Sequence, residues 1–282
     1  MVWESRLEST WYSHISDVEF LPDGRTFIVA SGITVALYDS SNGRQIDIFR
    51  KSGFYTDGID ISADGKQLLV CTWKSQNSGP PPIEIWDIGS KEKIRELNGH
   101  SIDIYDAAFS LDGKMIVSSS RDGSARLWDT MTGREIRSHK TQGWGLNAGW
   151  SPDGRDYFFG DGKGTHIIDV TTGTEKFLLQ RSTYGWSLAQ YTSDSRYIVT
   201  YLKGKFRLSD ANTGNPVAEG GLLDARSFDL TPDGKFIVSG SSLESISVTK
   251  ISGLELVFTS LIGQDNEVLT WICPCVMLTS AT

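Results

Sequence analysis

Six copies of one short turn divide this chain. They read Pro22-Asp23-Gly24, Ala63-Asp64-Gly65, Leu111-Asp112-Gly113, Pro152-Asp153-Gly154, Ser193-Asp194-Ser195 and Pro232-Asp233-Gly234, at spacings of 41, 48, 41, 41 and 39 residues. The clearest unit spans residues 99–133. It carries an apolar run ending Ala107-Ala108-Phe109-Ser110, then the turn, Met115-Ile116-Val117, a second turn Arg121-Asp122-Gly123, and Arg126-Leu127-Trp128-Asp129. Four short β-type runs separated by turn residues predict one four-stranded antiparallel sheet. Asp-Gly suits the left-handed backbone of a tight turn, and Ile, Val, Phe and Trp suit a pleated, half-buried surface. Such a sheet has two faces to hide, so it needs neighbours of its own kind.

A period near 40 residues with Gly-His and Trp-Asp marks (Gly99-His100, Trp86-Asp87, Trp128-Asp129) resembles the WD-repeat (WD40) β-propeller family over nearly the whole chain. The Trp-Asp position reads Tyr38-Asp39, Ile168-Asp169, Ser209-Asp210 and Thr249-Lys250 in the other repeats, so the blades have diverged. The resemblance implies an all-β fold, a single propeller domain over residues 1–282. Seven blades with an incomplete last one are expected, and six blades plus a partial repeat is the alternative. The incomplete repeat is read at 262–282. There 267–272 looks like a first strand, Pro274 falls in register with Pro232, Cys275 replaces the turn aspartate, and 276–279 follows as a second strand. Residues 1–10, with Val2, Trp3 and Leu7, are a candidate closing strand for the last blade, the device by which such rings remove free edges. An insertion at 74–82, ending in three prolines, accounts for the 48-residue spacing and predicts a projecting loop.

In the family a buried network links the Gly-His histidine, a second-strand Ser or Thr, the aspartate of the next turn and the Trp-Asp tryptophan. Carried onto this chain these are His100, Ser118, Asp122 and Trp128, a set complete in blade three alone. The same Ser, His and Asp types could suggest a hydrolase triad. The resemblance makes them a cross-strand brace. Gly160-Asp161-Gly162-Lys163-Gly164 invites a phosphate-loop reading, but that motif ends in Gly-Lys-Ser/Thr on a helix, and a strand follows here. Cys273-Pro274-Cys275 lacks a second Cys or His pair at zinc spacing, so no metal and no cofactor are expected.

A net charge of −8 argues against a general phosphate-binding surface and hence against direct nucleic-acid binding. The most apolar stretch, 268–278, is too short for a membrane span and contains Pro274. Three cysteines form no secreted-type framework and the N-terminus shows no signal-peptide pattern. The expectation is an intracellular protein, cytoplasmic or nuclear. Propeller geometry places the loops between blades on one face around the channel, where the family binds peptides. The corresponding residues are His14, Tyr55, Asp103, Tyr105, Trp144, Trp186 and Arg226, joined by Arg121 from the second turn of blade three. Aromatics and arginine are enriched at interaction hot spots. The expected function is a non-enzymatic scaffold that docks a protein or extended peptide there, with Arg121 holding an acidic group or a backbone carbonyl. The alternative is a propeller enzyme or small-ligand binder using the channel, for which only His14, Asp103 and Asp224 offer titratable groups at the mouth. Residues 85–88 and 99–105 resemble propellers of Tup-type and Groucho-type transcriptional corepressors, which implies a possible nuclear role in corepression.

Overall fold

The computed structural model describes residues 15–51, 54–73, 80–145, 147–179, 188–202, 204–220, 225, 227–231, 233–241, 245–262, 268–272 and 276–279. The candidate closing strand, His14, Trp186, Asp224, Arg226, Cys273, Cys275 and most of the 74–82 insertion lie outside these residues. The described chain is all-β, a six-bladed propeller. Blade one is β1 (Ile15–Phe20), β2 (Thr26–Ser31), β3 (Thr34–Asp39) and β4 (Gln45–Lys51). Blade two is β5 (Tyr55–Ile61), β6 (Gln67–Trp73), β7 (Ile83–Asp87) and β8 (Lys93–Leu97). Blade three is β9 (Ile104–Phe109), β10 (Met115–Ser120), β11 (Ser124–Asp129) and β12 (Glu135–Lys140). Blade four is β13 (Ala148–Trp150), β14 (Asp156–Asp161), β15 (Gly164–Asp169) and β16 (Glu175–Leu179). Blade five is β17 (Leu188–Tyr191), β18 (Tyr197–Leu202), β19 (Lys205–Asp210) and β20 (Pro216–Gly220). Every blade pairs its strands antiparallel in sequence order.

The sixth sheet corrects the blade count. It holds β21 (Ser227–Leu230), β22 (Phe236–Gly240), β23 (Ser245–Lys250) and β24 (Glu255–Ile262), and then continues into β25 (Val268–Ile272) and β26 (Val276–Thr279). The strands read as the start of a seventh blade therefore extend blade six: β25 pairs with β24 and β26 with β25. Two strands cannot hide two faces of their own. The outer edge of β24 offers unpaired backbone groups, and pairing there satisfies both partners.

The turns explain the repeat. Asp112 Oδ1 accepts hydrogen bonds from Ser110 Oγ (2.8 Å) and the Lys114 amide (3.1 Å), closing the hairpin, while Gly113 takes φ +68°. In blade five, where the glycine is missing, Ser195 is held in the same left-handed region at φ +57°. The basic residues after the turns pair with the turn aspartates in the open, Lys114 Nζ with Asp112 at 3.0 Å and Lys235 Nζ with Asp233 at 3.2 Å. The last part of the insertion differs from a projecting loop. Pro81 and Pro82 are buried, and the Pro82 carbonyl accepts from Thr72 Oγ1 at 2.6 Å.

The core sits between blades. One apolar cluster joins Leu69, Ile83 and Leu97 of blade two to Ile104, Ile116 and Trp128 of blade three, and a comparable cluster fills each junction from one–two through five–six. The junction between blades six and one is different. Phe27, Val29, Ala36 and Tyr38 form a cluster within blade one alone. Val18 and Phe20 on blade one, and Val238 and Ile246 on blade six, stay exposed. Among the described residues this junction has no shared cluster.

Candidate partner-docking face and channel

Blade three shows what holds the strands in place. The Trp128 indole N–H donates to Ser118 Oγ at 2.9 Å, and Ser118 Oγ lies 2.8 Å from His100 Nε2. His100 Nδ1 lies 2.9 Å from Asp122 Oδ2, which also accepts the Ser101 amide. Burial pushes the His100 pKa down against the pull of Asp122, so the ring is neutral at neutral pH; Nδ1–H donates to Asp122 and Nε2 accepts from Ser118. Burial alone would raise Asp122, but hydrogen bonds from His100 and Ser124 hold its carboxyl well below the usual range. Ser118 is fully buried and its oxygen already accepts the indole N–H. It is a strut between strands and no nucleophile.

The brace fixes the loops that meet at the mouth. The Arg121 amide donates to the Asp103 carbonyl (2.9 Å) and the Gly145 amide to the Ser120 carbonyl (3.0 Å), so segments of blades three and four adjoin. There the Arg121 guanidinium lies over the Trp144 ring, 4.6 Å from its centroid, and 3.3 Å from Asp103 Oδ2. Trp144 remains 49% exposed. Burial pushes the Tyr105 hydroxyl upward in pKa, and the charges of Arg121 and Asp103 both act on it, so four of the residues read from the sequence come together. Tyr55 stacks on Trp73, 4.6 Å between centroids. Trp73 was not among the residues expected here; it ends β6, directly across from Tyr55 in the ladder.

The channel wall was also not foreseen. First strands of all six blades enclose a space of about 960 Å³ lined by Asp17, Glu19, Asp60, Asp106 and Asp229 among others. Three of these carboxylates tie neighbouring blades. Asp17 accepts the Ile59 amide (2.9 Å), Asp60 the Phe109 amide (2.6 Å) and Asp106 the Ala148 amide (2.9 Å). Blade four reaches blade five through Asn147 Nδ2 to the Ala189 carbonyl (3.3 Å), and blade five reaches blade six through Gln190 Nε2 to Asp229 (2.8 Å). Burial, reinforced by the neighbouring carboxylates, pushes Glu19 up to about 8. Burial outweighs the backbone hydrogen bonds at Asp60 and Asp106, raising each to about 7.

The sign of the pH dependence follows. Between their unperturbed values near 4 and these raised ones, the folded protein binds protons that the unfolded chain releases. Their contribution is therefore fully present below about pH 4 and is lost as pH rises toward 8. Water in the open channel screens the charges, so the expected loss is on the order of 2 kcal/mol. Denaturant midpoints across this range check it. Asp106→Asn, which keeps an acceptor for the Ala148 amide, should flatten the slope; a parent protein with no slope would contradict the channel electrostatics.

Among the described residues no three His, Cys, Asp or Glu side chains are placed to hold a metal ion, and no helix is long and apolar enough to cross a membrane. Blades, brace and channel together describe a β-propeller. Residues 91–129 match the family of the WD domain, G-beta repeat. The chain is similar to the guanine nucleotide-binding protein subunit beta of Oryza sativa subsp. indica, 26% identical over 144 residues, 49% of this chain and 37% of that protein. It is 25% identical over 226 residues to WD repeat-containing protein SL1-17 of Schistosoma mansoni, 74% of each. Protein groucho of Drosophila melanogaster is 23% identical over 247 residues, 85% of this chain and 33% of that protein. The alignments thus span about a third of the length of the rice and fly relatives. The chain is therefore similar to WD-repeat proteins, with the repeat signature in blade three.

Proposed function

We propose that this propeller is a non-catalytic scaffold that docks a protein or extended peptide across the channel mouth, within a larger assembly. The observation that carries this reading is the Arg121–Trp144 stack beside Asp103 and Tyr105: a half-exposed indole pre-ordered by a guanidinium is a rigid contact surface. In this reading Tyr55, on its Trp73 stack, contributes to the same surface, and the repeat pattern of the sequence adds His14, Trp186 and Arg226 as expected members. The similarity to G-beta subunits and to groucho supports a protein as the partner, and the corepressor resemblance supports a nuclear assembly as its setting.

The test is quantitative cross-linking of partners in the native cell, with the chain carrying Tyr105→Ala, Arg121→Ala and Trp144→Ala together. Captured partners should fall at least tenfold while the melting temperature stays within a few degrees of the parent. Lys114→Ala and Arg155→Ala, at the turns on the opposite face, should change nothing. Loss with the turn variants and not with the trio would place the docking surface elsewhere.

A further inference from the structure

The chain carries two Asn-Gly pairs, Asn42-Gly43 and Asn98-Gly99. A glycine after asparagine leaves its amide nitrogen unshielded, so that nitrogen can reach the asparagine's own side-chain carbonyl carbon. The fold treats the two pairs differently. Asn42 lies in the turn between β3 and β4. Its Oδ1 accepts the Arg44 amide (2.9 Å), and the Gly43 amide donates to the Asp39 carbonyl (2.8 Å). Both groups that would react are engaged in that turn.

Asn98-Gly99 is open where the other pair is closed. Both residues are exposed, between Leu97 at the end of β8 and His100 of the brace, which are 1% and 2% exposed. Among the described residues neither the Asn98 carboxamide nor the Gly99 amide makes a hydrogen bond. The glycine is also required. A side chain at 99 would stand 2.6 Å from Arg126 Nη1 and 2.9 Å from the Trp128 ring. The packing that seats Trp128 thus imposes the residue that leaves Asn98 open to attack. Arg126 beside Gly99 brings positive charge, which favours the deprotonated amide that attacks.

We propose that Asn98 is a site of spontaneous deamidation and that the change loosens blade three. The Gly99 nitrogen forms a bond to Asn98 Cγ, the Cγ–Nδ2 bond breaks, and Nδ2 leaves as ammonia with the amide proton. Water then opens the cyclic imide at either carbonyl. Opening at Cγ gives aspartate; opening at the main-chain carbonyl gives isoaspartate, whose chain runs through Cβ and Cγ. Isoaspartate adds a methylene to the backbone between Leu97 and Gly99. Leu97 is fixed in the cluster joining blades two and three, and Gly99 is closed in by Trp128. The extra length therefore falls on His100, which must meet both Asp122 and Ser118.

Ageing the full chain for weeks at pH 7.5 tests this. Peptide mapping by mass spectrometry follows each asparagine, with electron-transfer fragmentation to tell isoaspartate from aspartate. Asn98 should convert at least tenfold faster than Asn42, and the two should convert at similar rates once the chain is unfolded in urea. The isoaspartate form, separated by chromatography, should melt several degrees below the parent. Asn98→Gln should keep the parent melting temperature through the same ageing. Asn98→Asp, which carries the charge without the added methylene, should also melt with the parent. Conversion at Asn98 no faster than at Asn42 would overturn the site. An advantage that persists in urea would trace it to local sequence and overturn the role of the fold. An isoaspartate form that melts with the parent would overturn the effect on the brace.

Discussion

Trp128→Ala is expected to cost the fold about 3–5 kcal/mol, the range for removing a large aromatic from a packed core. Trp128 is 1% exposed and belongs to the cluster that joins blades two and three. Its ring also lies under Gly99, where a side chain would meet it at 2.9 Å, so the neighbouring loop is shaped around the indole. The substitution opens a cavity at a blade junction and takes a donor from Ser118. Trp128→Phe separates the two losses, because it keeps most of the volume and should cost about 1–2 kcal/mol from the unmade hydrogen bond and the smaller ring. His100→Ala falls between, at about 1–3 kcal/mol, by taking one buried partner each from Asp122 and Ser118. Urea midpoints of the three variants give the order. A Trp128→Ala protein as stable as the parent would mean that blade three is not assembled around this brace.

Glu84→Ala should be of similar size, about 3–5 kcal/mol, for an electrostatic reason. Arg50 Nε and Glu84 Oε2 are 2.6 Å apart with side chains only 2% and 5% exposed. Arg50 also donates to Thr56 Oγ1 (3.0 Å) and the Phe54 carbonyl (3.3 Å), and the Trp86 indole donates to Glu84 Oε2 (3.1 Å). The pair crosses from β4 of blade one to β7 of blade two, with the Trp86 indole at its Glu84 end. Removing Glu84 strands a buried guanidinium, whereas Arg50→Met with Glu84→Leu removes both charges and should recover most of the loss. If Glu84→Ala alone unfolds at the parent midpoint, the pair contributes no net stability and the junction rests on its apolar cluster.

The parts of this molecule that the sequence made legible are local ones. An Asp-Gly turn declares itself within four residues, so six hairpins were legible although seven blades were expected, and the brace was legible through the family resemblance of one repeat. The strand at 268–272 was legible as a strand, but which edge it joins depends on contacts far along the chain, and β24 took it. Arg50 and Glu84 look like ordinary charged residues, and the available signal was a glutamate flanked by Ile83 and Ile85 on an inner strand. The channel acids were hidden by the usual meaning of alternation. Asp17 and Asp106 stand six residues before their turn aspartates, and Glu19, Asp60 and Asp229 four before theirs. On an open sheet such positions face bulk water. On the innermost strand of a ring they face one another.

The junction between blades six and one changes how the ring comes apart. With a shared cluster at every junction, releasing any blade would break two interfaces. Among the described residues there are five shared clusters, and blades one and six each share one of them, with blades two and five respectively. Where packing is shared with one neighbour, opening is expected to start, and hydrogen exchange blade by blade checks whether blades one and six exchange first. Blades three and four should then be the last reached. On that expectation the surface formed by Tyr105, Arg121 and Trp144 rides on the part of the molecule that opens last.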